Sequence, residues 1–192
     1  MALLDKLDLK GRVEALLLSP KRETGLEKHR ADRLTMTFDG VEGDCHGGRT
    51  RASDSRMLKQ YARGTEVANT RQVSILSTEE LAQVAATLGI AALPPEWVGA
   101  NIVTAGIPDL TLLPPATRLM FSSGATIIVD LENAPCRYVG DVIEKHHPGV
   151  GGRFVKAAQH KRGVVGWVEK PGAISVGDEI VLHVPTRRTW VH

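Results

Sequence analysis

Apolar residues recur periodically in short runs along most of the chain, and the runs are punctuated by Gly or Pro. The runs are rich in Val, Ile and Thr, and the spacing predicts strands at 12–18, 34–38, 71–76, 100–104, 117–121, 125–131, 163–168 and 179–184. Two segments break the rhythm. From Ser77 the apolar positions shift to Leu81, Val84, Ala85 and Leu88, the spacing of one helical face. Ser77 and Glu80 suggest a capping box at its start, and Gly89 supplies the stop. After Pro135 the sequence places Val139, Val142 and Ile143 on another helical face that runs out near His147-Pro148-Gly149, and a shorter helix is expected over 153–161. Phe121-Ser122-Ser123-Gly124-Ala125 reads as a hairpin turn, and Gly177-Asp178 as a tight corner. Many short strands with few helices favour a closed or sandwich-like sheet over a bundle.

Length and charge narrow the picture. A chain of 192 residues suits one domain able to bury a substantial core without disulfides, and its two cysteines, Cys45 and Cys136, are far apart in sequence. The opening residues lack the pattern of a secretory signal, and no apolar run approaches the roughly 20 residues needed to span a bilayer. A reducing cytoplasm and no membrane partner are the expectation. A net charge of +2 and only 4% aromatic residues give neither a basic stripe nor stacking platforms, which argues against nucleic acid and leaves anionic small molecules.

The chemistry concentrates at one corner. Cys136 follows Val129-Asp130-Leu131-Glu132-Asn133-Ala134-Pro135, where a strand stops and a helix begins. If Asn133 caps and Pro135 opens the helix, Cys136 lies in its first turn. There, orphan amides and neighbouring Arg137 favour the thiolate, lowering a thiol pKa that is ordinarily about 8.5. Taken alone, the same thiol could equally be a small buried hydrophobe. The glycine-dense run from Asp39 to Gly48 places Asp44 and His46 two apart, with Arg49, Arg51 and Arg56 nearby as anion clamps. Asp44 could instead satisfy turn amides. Cys45 has no second Cys/His pair at zinc-type spacing, and His146 at a helix end suits the helix dipole. Asn101 offers both a donor and an acceptor, and Arg162 is a phosphate-binding candidate.

Five ordered blocks, Gly43-Asp44-Cys45-His46-Gly47-Gly48, Arg71 through Leu76, Gly99 through Gly106, Asn133-Ala134-Pro135-Cys136 and Gly172 through Asp178, resemble the molybdenum-cofactor sulfurase C-terminal family, the MOSC domain. The resemblance covers nearly the whole chain, read as a single domain over 1–192 with a core of about 34–185. It implies a mainly β fold: an antiparallel β-barrel of the MOSC or pyruvate kinase-like kind with flanking α-helices. It also implies that Cys136 either carries sulfur as a persulfide or ligates molybdenum in a molybdopterin-type cofactor. Asn101 and Thr104 would face that cofactor, Arg71 and Arg162 would meet its phosphate, and Asn133 and Arg137 would flank it. Asp44 and His46 would stand on the rim with catalytic roles. Family-level association extends to pyridoxal phosphate.

The activity implied first is reduction of N-hydroxylated substrates. It needs an external electron-transfer protein, because the chain holds no flavin or iron–sulfur motif. A sulfur carrier loaded by a cysteine desulfurase is the alternative, and a non-catalytic ligand-binding barrel is a third; either a monomer or a homodimer would serve. Two positions depart from the family pattern: Ala100 stands where many relatives carry Glu, and Pro115-Ala116 replaces Pro-Gly.

Overall fold

A computed structural model of the chain describes residues 3–19 and 27–186. Thirteen strands run in chain order: β1 (Leu4–Leu18), β2 (His29–Ala31), β3 (Arg33–Thr37), β4 (Gly40–Val41), β5 (Thr50–Ala52), β6 (Glu66–Ala68), β7 (Val73–Ser77), β8 (Ile102–Ala105), β9 (Arg118–Phe121), β10 (Thr126–Glu132), β11 (Val164–Lys170), β12 (Gly172–Ser175) and β13 (Glu179–Pro185). Three α-helices join them: α1 (Thr78–Leu88), α2 (Arg137–His146) and the short α3 (Phe154–Ala157).

Seven of the strands form a closed ring. The order is β13-β9-β10-β11-β7-β8-β1, and β1 pairs back onto β13 to close it. Every pairing in the ring is antiparallel except β7 with β8, which the crossover through α1 makes parallel. The expected β-barrel with flanking helices is therefore present.

Side-chain alternation sorts the core into two shells. Val13 and Leu16 on β1, Ile75 on β7, Ile102 on β8, Ile127 on β10 and Leu182 on β13 belong to one buried cluster that fills the ring. Their sequence neighbours Ala15, Leu17, Leu76 and Val103 point the other way, into a second cluster shared with the helices. Leu81, Val84, Ala85 and Leu88 of α1 and Val139 and Ile143 of α2 complete that outer shell. A filled interior leaves no room for a ligand inside the barrel, so chemistry belongs to its rim.

The eight strands expected from alternation all form, with ends displaced by a residue or two; the exception is β1, which extends back to Leu4 because its first half pairs with β13. Strands β2, β4, β5, β6 and β12 were not foreseen, being short and built from polar or glycine-rich stretches. In particular, the long loop expected over 39–56 carries β4 and β5.

Helix α1 starts where predicted, with Ser77 Oγ accepting from Glu80 N at 3.1 Å and Gly89 at φ 75° closing it. The capping box is only half made. Buried Glu80 turns away from the helix end and accepts from Thr111 N at 2.9 Å and Thr111 Oγ1 at 2.8 Å. The helix expected over 153–161 begins as a 3-10 turn at Gly151–Arg153 and ends at Ala157.

Glycines set how closely the α2–α3 unit packs. A Cβ on Gly151 would strike the Gly140 carbonyl oxygen, and one on Gly140 would meet Gly151 O at 2.6 Å. This contact sets α2 closely against the 3-10 turn that leads into α3.

Candidate functional site

Cys136 is the N-cap of α2, one residue outside the helix and with extended backbone (φ −130°, ψ 158°), where the sequence placed it inside the first turn. The reason is that Asn133 is spent elsewhere. Its main-chain N–H donates to Gly163 O at 2.9 Å, and its side chain donates to Ser74 Oγ at 3.1 Å and accepts from Arg71 Nη2 at 3.4 Å. The Cys136 side chain makes no capping hydrogen bond; it is half-buried and packs against the outer apolar cluster. A cleft of 650 Å³ opens beside this corner, lined by Glu132, Ala134, Pro135, Lys156, Gln159 and His160.

Arg162 gives the corner its electrostatics. The residue is 7% exposed; its Nη2 donates to Val98 O, while Nε and Nη1 are buried without a partner among the described residues. Burial pushes the guanidinium down to about 10; a thiolate at Cys136 would pull it back up, and Arg71 and Arg56 push it down further. Arg71 is likewise brought down to about 10 by burial and by Arg56 and Arg51. Both stay charged at neutral pH. A buried cation with spare N–H groups, held near the half-buried Arg71 against their mutual repulsion, makes a site for an anion.

Asp44 anchors the second loop. Its Oδ2 accepts from Ser19 N (3.0 Å), Lys28 Nζ (2.8 Å) and Asn101 Nδ2 (3.0 Å), and its Oδ1 accepts from His46 N and from His46 Nδ1, both at 3.0 Å. Burial alone would raise this carboxyl, but the His46 hydrogen bond, the Lys28 ammonium and the Ser19 amide overcome it and hold it far below the usual carboxylate range. Lys28 is pushed down by burial, and Asp44 partly restores it.

Cys45 Sγ lies 3.3 Å from the same His46 Nδ1, so Asp44, Cys45 and His46 offer ligand atoms all within 4.8 Å of one another. A cation there would compete with five N–H donors for Asp44 and face Lys28, so the donor set does not favour a metal ion.

The two loops are joined by amides. Asn101 Oδ1 accepts from Ser74 N at 3.1 Å while Asn101 Nδ2 reaches Asp44, and Ser74 Oγ carries the link on to Asn133. Asp44, His46, Asn101, Asn133, Arg71, Arg162 and Cys136 thus gather at one end of the barrel. Thr104 and Arg137 do not join them. Thr104 is fully buried and donates to Leu76 O at 3.2 Å, so its hydroxyl is consumed within the sheet. Arg137 is exposed and lies 3.9 Å from Asp141 one helical turn on. Of the expected clamps, Arg51 and Arg56 share Asp54, while Arg49 faces solvent beside Asp39. His146 does more than complement a dipole: its ring stacks on Trp97 with centroids 4.1 Å apart.

Sequence reasoning missed Lys28, which sits in the polar run Glu27-Lys28-His29-Arg30 and reads as solvated. It also missed the positioning amides of Asn69 and Gln72, which hold the glycine loop through His46 O, Gly48 O and Phe38 O. For these the one available signal was Asn and Gln flanking a strand start.

Comparison with known proteins agrees with this geometry. Residues 43–181 match the family model of the MOSC domain. YuaD of Bacillus subtilis, a protein provisionally named for metal–sulfur cluster biosynthesis, is 41% identical over 160 residues, covering 82% of this chain and 83% of its own. A crystal structure of YuaD superposes with a TM-score of 0.89 at 35% identity, over 95% of this chain and 100% of that one. YiiM of Geobacillus stearothermophilus, at 14% identity and a TM-score of 0.63 over 90% of this chain and 74% of its own, shares the fold. By sequence match, barrel topology and close relative alike, the chain belongs to the MOSC domain family.

Proposed function

We propose that this protein is a sulfur carrier, in which Cys136 accepts a sulfane sulfur as a persulfide and passes it toward metal–sulfur cluster or molybdenum-cofactor assembly. The observation that carries this reading is the half-buried Cys136 thiol within the electrostatic reach of Arg162, whose Nε and Nη1 have no other partner among the described residues. YuaD's name points the same way.

Loading requires no redox change. The Cys136 thiolate attacks the outer sulfur of a donor persulfide, such as one held by a cysteine desulfurase. A new S–S bond forms on Cys136, the donor's S–S bond breaks, and the donor leaves as a thiolate with the electron pair. Arg162 and Arg71 then face a persulfide anion. Cytoplasmic thiol-reducing conditions would keep the site ready, and no helix among the described residues is long and apolar enough to cross a membrane.

Incubation with cysteine and a cysteine desulfurase, followed by mass spectrometry, tests the reading. One added sulfur on Cys136, lost in Cys136→Ala, is the expected result; an unmodified Cys136 under conditions that load the desulfurase overturns it.

A second reading draws on the same cations. The unpartnered N–H groups of Arg162, together with Arg71, fit the phosphate of a molybdopterin-type cofactor, and Cys136 is a soft donor suited to its metal. When bound, that cofactor would supply a redox-active metal for reducing N-hydroxylated substrates with an external electron-transfer protein. Here Arg162 and Arg71 bind and orient, and Asp44 holds His46 on the rim. Molybdenum analysis of protein made in a cofactor-producing host tests this: equal metal in wild type and Cys136→Ala removes Cys136 from the role.

A further inference from the structure

Cys45 sits in surroundings unlike those of a packed structural cysteine. Its main-chain N–H donates to Ser19 O at 2.8 Å, and its loop is held by Asn69 Nδ2, which donates to His46 O and Gly48 O at 3.0 Å each. The neighbouring groups are polar: Asp44, His46 and buried Lys28.

His46 Nδ1 faces both Asp44 Oδ1 at 3.0 Å and Cys45 Sγ at 3.3 Å. One ring nitrogen cannot donate to the carboxylate and at the same time take a proton from the thiol. Carrying its proton, it is a donor shared between carboxylate and sulfur, placed to stabilise a sulfur anion. Lys28 adds a second positive group whose charge a Cys45 thiolate would support, and Lys28 and Arg162 also sense one another.

The hydrogen-bonded chain Asp44–Asn101–Ser74–Asn133 fixes the Cys45 loop relative to the Cys136 corner, so both thiols belong to one end of the barrel. Lys28 is within electrostatic range of both Cys45 and Arg162, and Arg162, with two donors unpartnered among the described residues, is within range of Cys136.

We propose that Cys45 is a second sulfur-bearing thiol of this site, receiving the sulfane sulfur from the Cys136 persulfide. The inference rests on the carrier reading of Cys136. In the transfer step the Cys45 thiolate attacks the outer sulfur of Cys136–S–S⁻. The S–S bond to Cys136 breaks as one to Cys45 forms, and Cys136 departs as a thiolate facing Arg162. The number of electrons and sulfur atoms is unchanged, so no oxidant or reductant is required. The added sulfur extends the reach of Cys136 by about 2 Å, the length of one S–S bond. Delivery to an acceptor would then start from Cys45, beside the partly exposed His46.

The test loads wild type, Cys136→Ala, Cys45→Ala and Cys45→Ser with cysteine and a cysteine desulfurase, quenches by alkylation at intervals, and maps added sulfur to each cysteine by peptide mass spectrometry. In wild type, sulfur should appear on Cys136 first and on Cys45 afterwards. Loading of Cys45 should fall at least tenfold in Cys136→Ala, and sulfur should accumulate on Cys136 in both Cys45 variants. His46→Ala should slow the appearance of sulfur on Cys45 severalfold relative to its appearance on Cys136. Sulfur that reaches Cys136 but never Cys45 in wild type overturns the relay and leaves the carrier reading standing. Equal loading of Cys45 with and without Cys136 also overturns it. No sulfur on either cysteine overturns the carrier reading itself and the relay with it.

Discussion

Lys28 Nζ lies 2.8 Å from Asp44 Oδ2, with the two side chains 1% and 0% exposed. Around this pair the glycine loop, the start of β8 and the chain just past β1 are tied together. Losing both members should therefore cost less than the two separate losses added together. Lys28→Met is expected to cost about 3 kcal/mol, because it leaves the carboxylate buried without its cation. Combination with Asp44→Asn should cost clearly less than the sum of the two single changes. Urea unfolding of the four chains measures this.

The Asp44 carboxyl also sets an acid limit. Its folded-state pKa lies far below the value of 3.8 expected when unfolded. Its contribution to stability is therefore full above roughly pH 5 and is lost progressively as pH falls below about 4 toward the folded-state value. Unfolding free energy followed between pH 2 and 6 should fall more steeply for wild type than for Asp44→Asn.

Ala116 occupies the left-handed region at φ 69°, in the turn before β9. This explains the departure noted in the sequence, since a glycine adopts that conformation without strain while a Cβ does not. Ala116→Gly should relieve about 1–2 kcal/mol of strain, and the greater freedom of glycine in the unfolded chain returns about 0.4–1 kcal/mol. A small net stabilisation, read as a raised melting temperature, is expected.

Arg162 brings two buried N–H groups, unpartnered among the described residues, to the corner that carries Cys136. Arg162→Met should slow the loading of Cys136 with sulfur about fivefold, the consequence of losing about 1 kcal/mol of charge stabilisation for the persulfide anion it would face. An unchanged rate would place the guanidinium outside the thiol's reach.

The parts of this molecule that obey local rules were legible in its sequence. Helix α1 carries its own start at Ser77 and its own stop at Gly89, and the barrel staves betray themselves by alternation, as at Val73, Ile75 and Leu76. What remained hidden depends on partners distant along the chain. Asn133 was read as a helix cap, yet Ser74 and Gly163 claim it. Glu80 was read as half of a capping box, yet Thr111 draws it inward. Lys28 gave no hint of burial, because only folding brings Asp44 to it. Thr104 shares a block with Asn101, but on β8 its hydroxyl reaches Leu76 O while Asn101, just before the strand, reaches Asp44.

The ring of staves has a further consequence for how other proteins can meet this one. Because β1 closes onto β13, the seven-strand ring itself offers no free margin among the described residues, and main-chain pairing by a visiting chain is left to short edge strands such as the three-residue β2. On the carrier proposal, a macromolecule that brings or collects sulfur would then read chiefly side chains and loops at the barrel mouth. Changes of partner in evolution can then be written into those loops while the staves beneath keep their sequence.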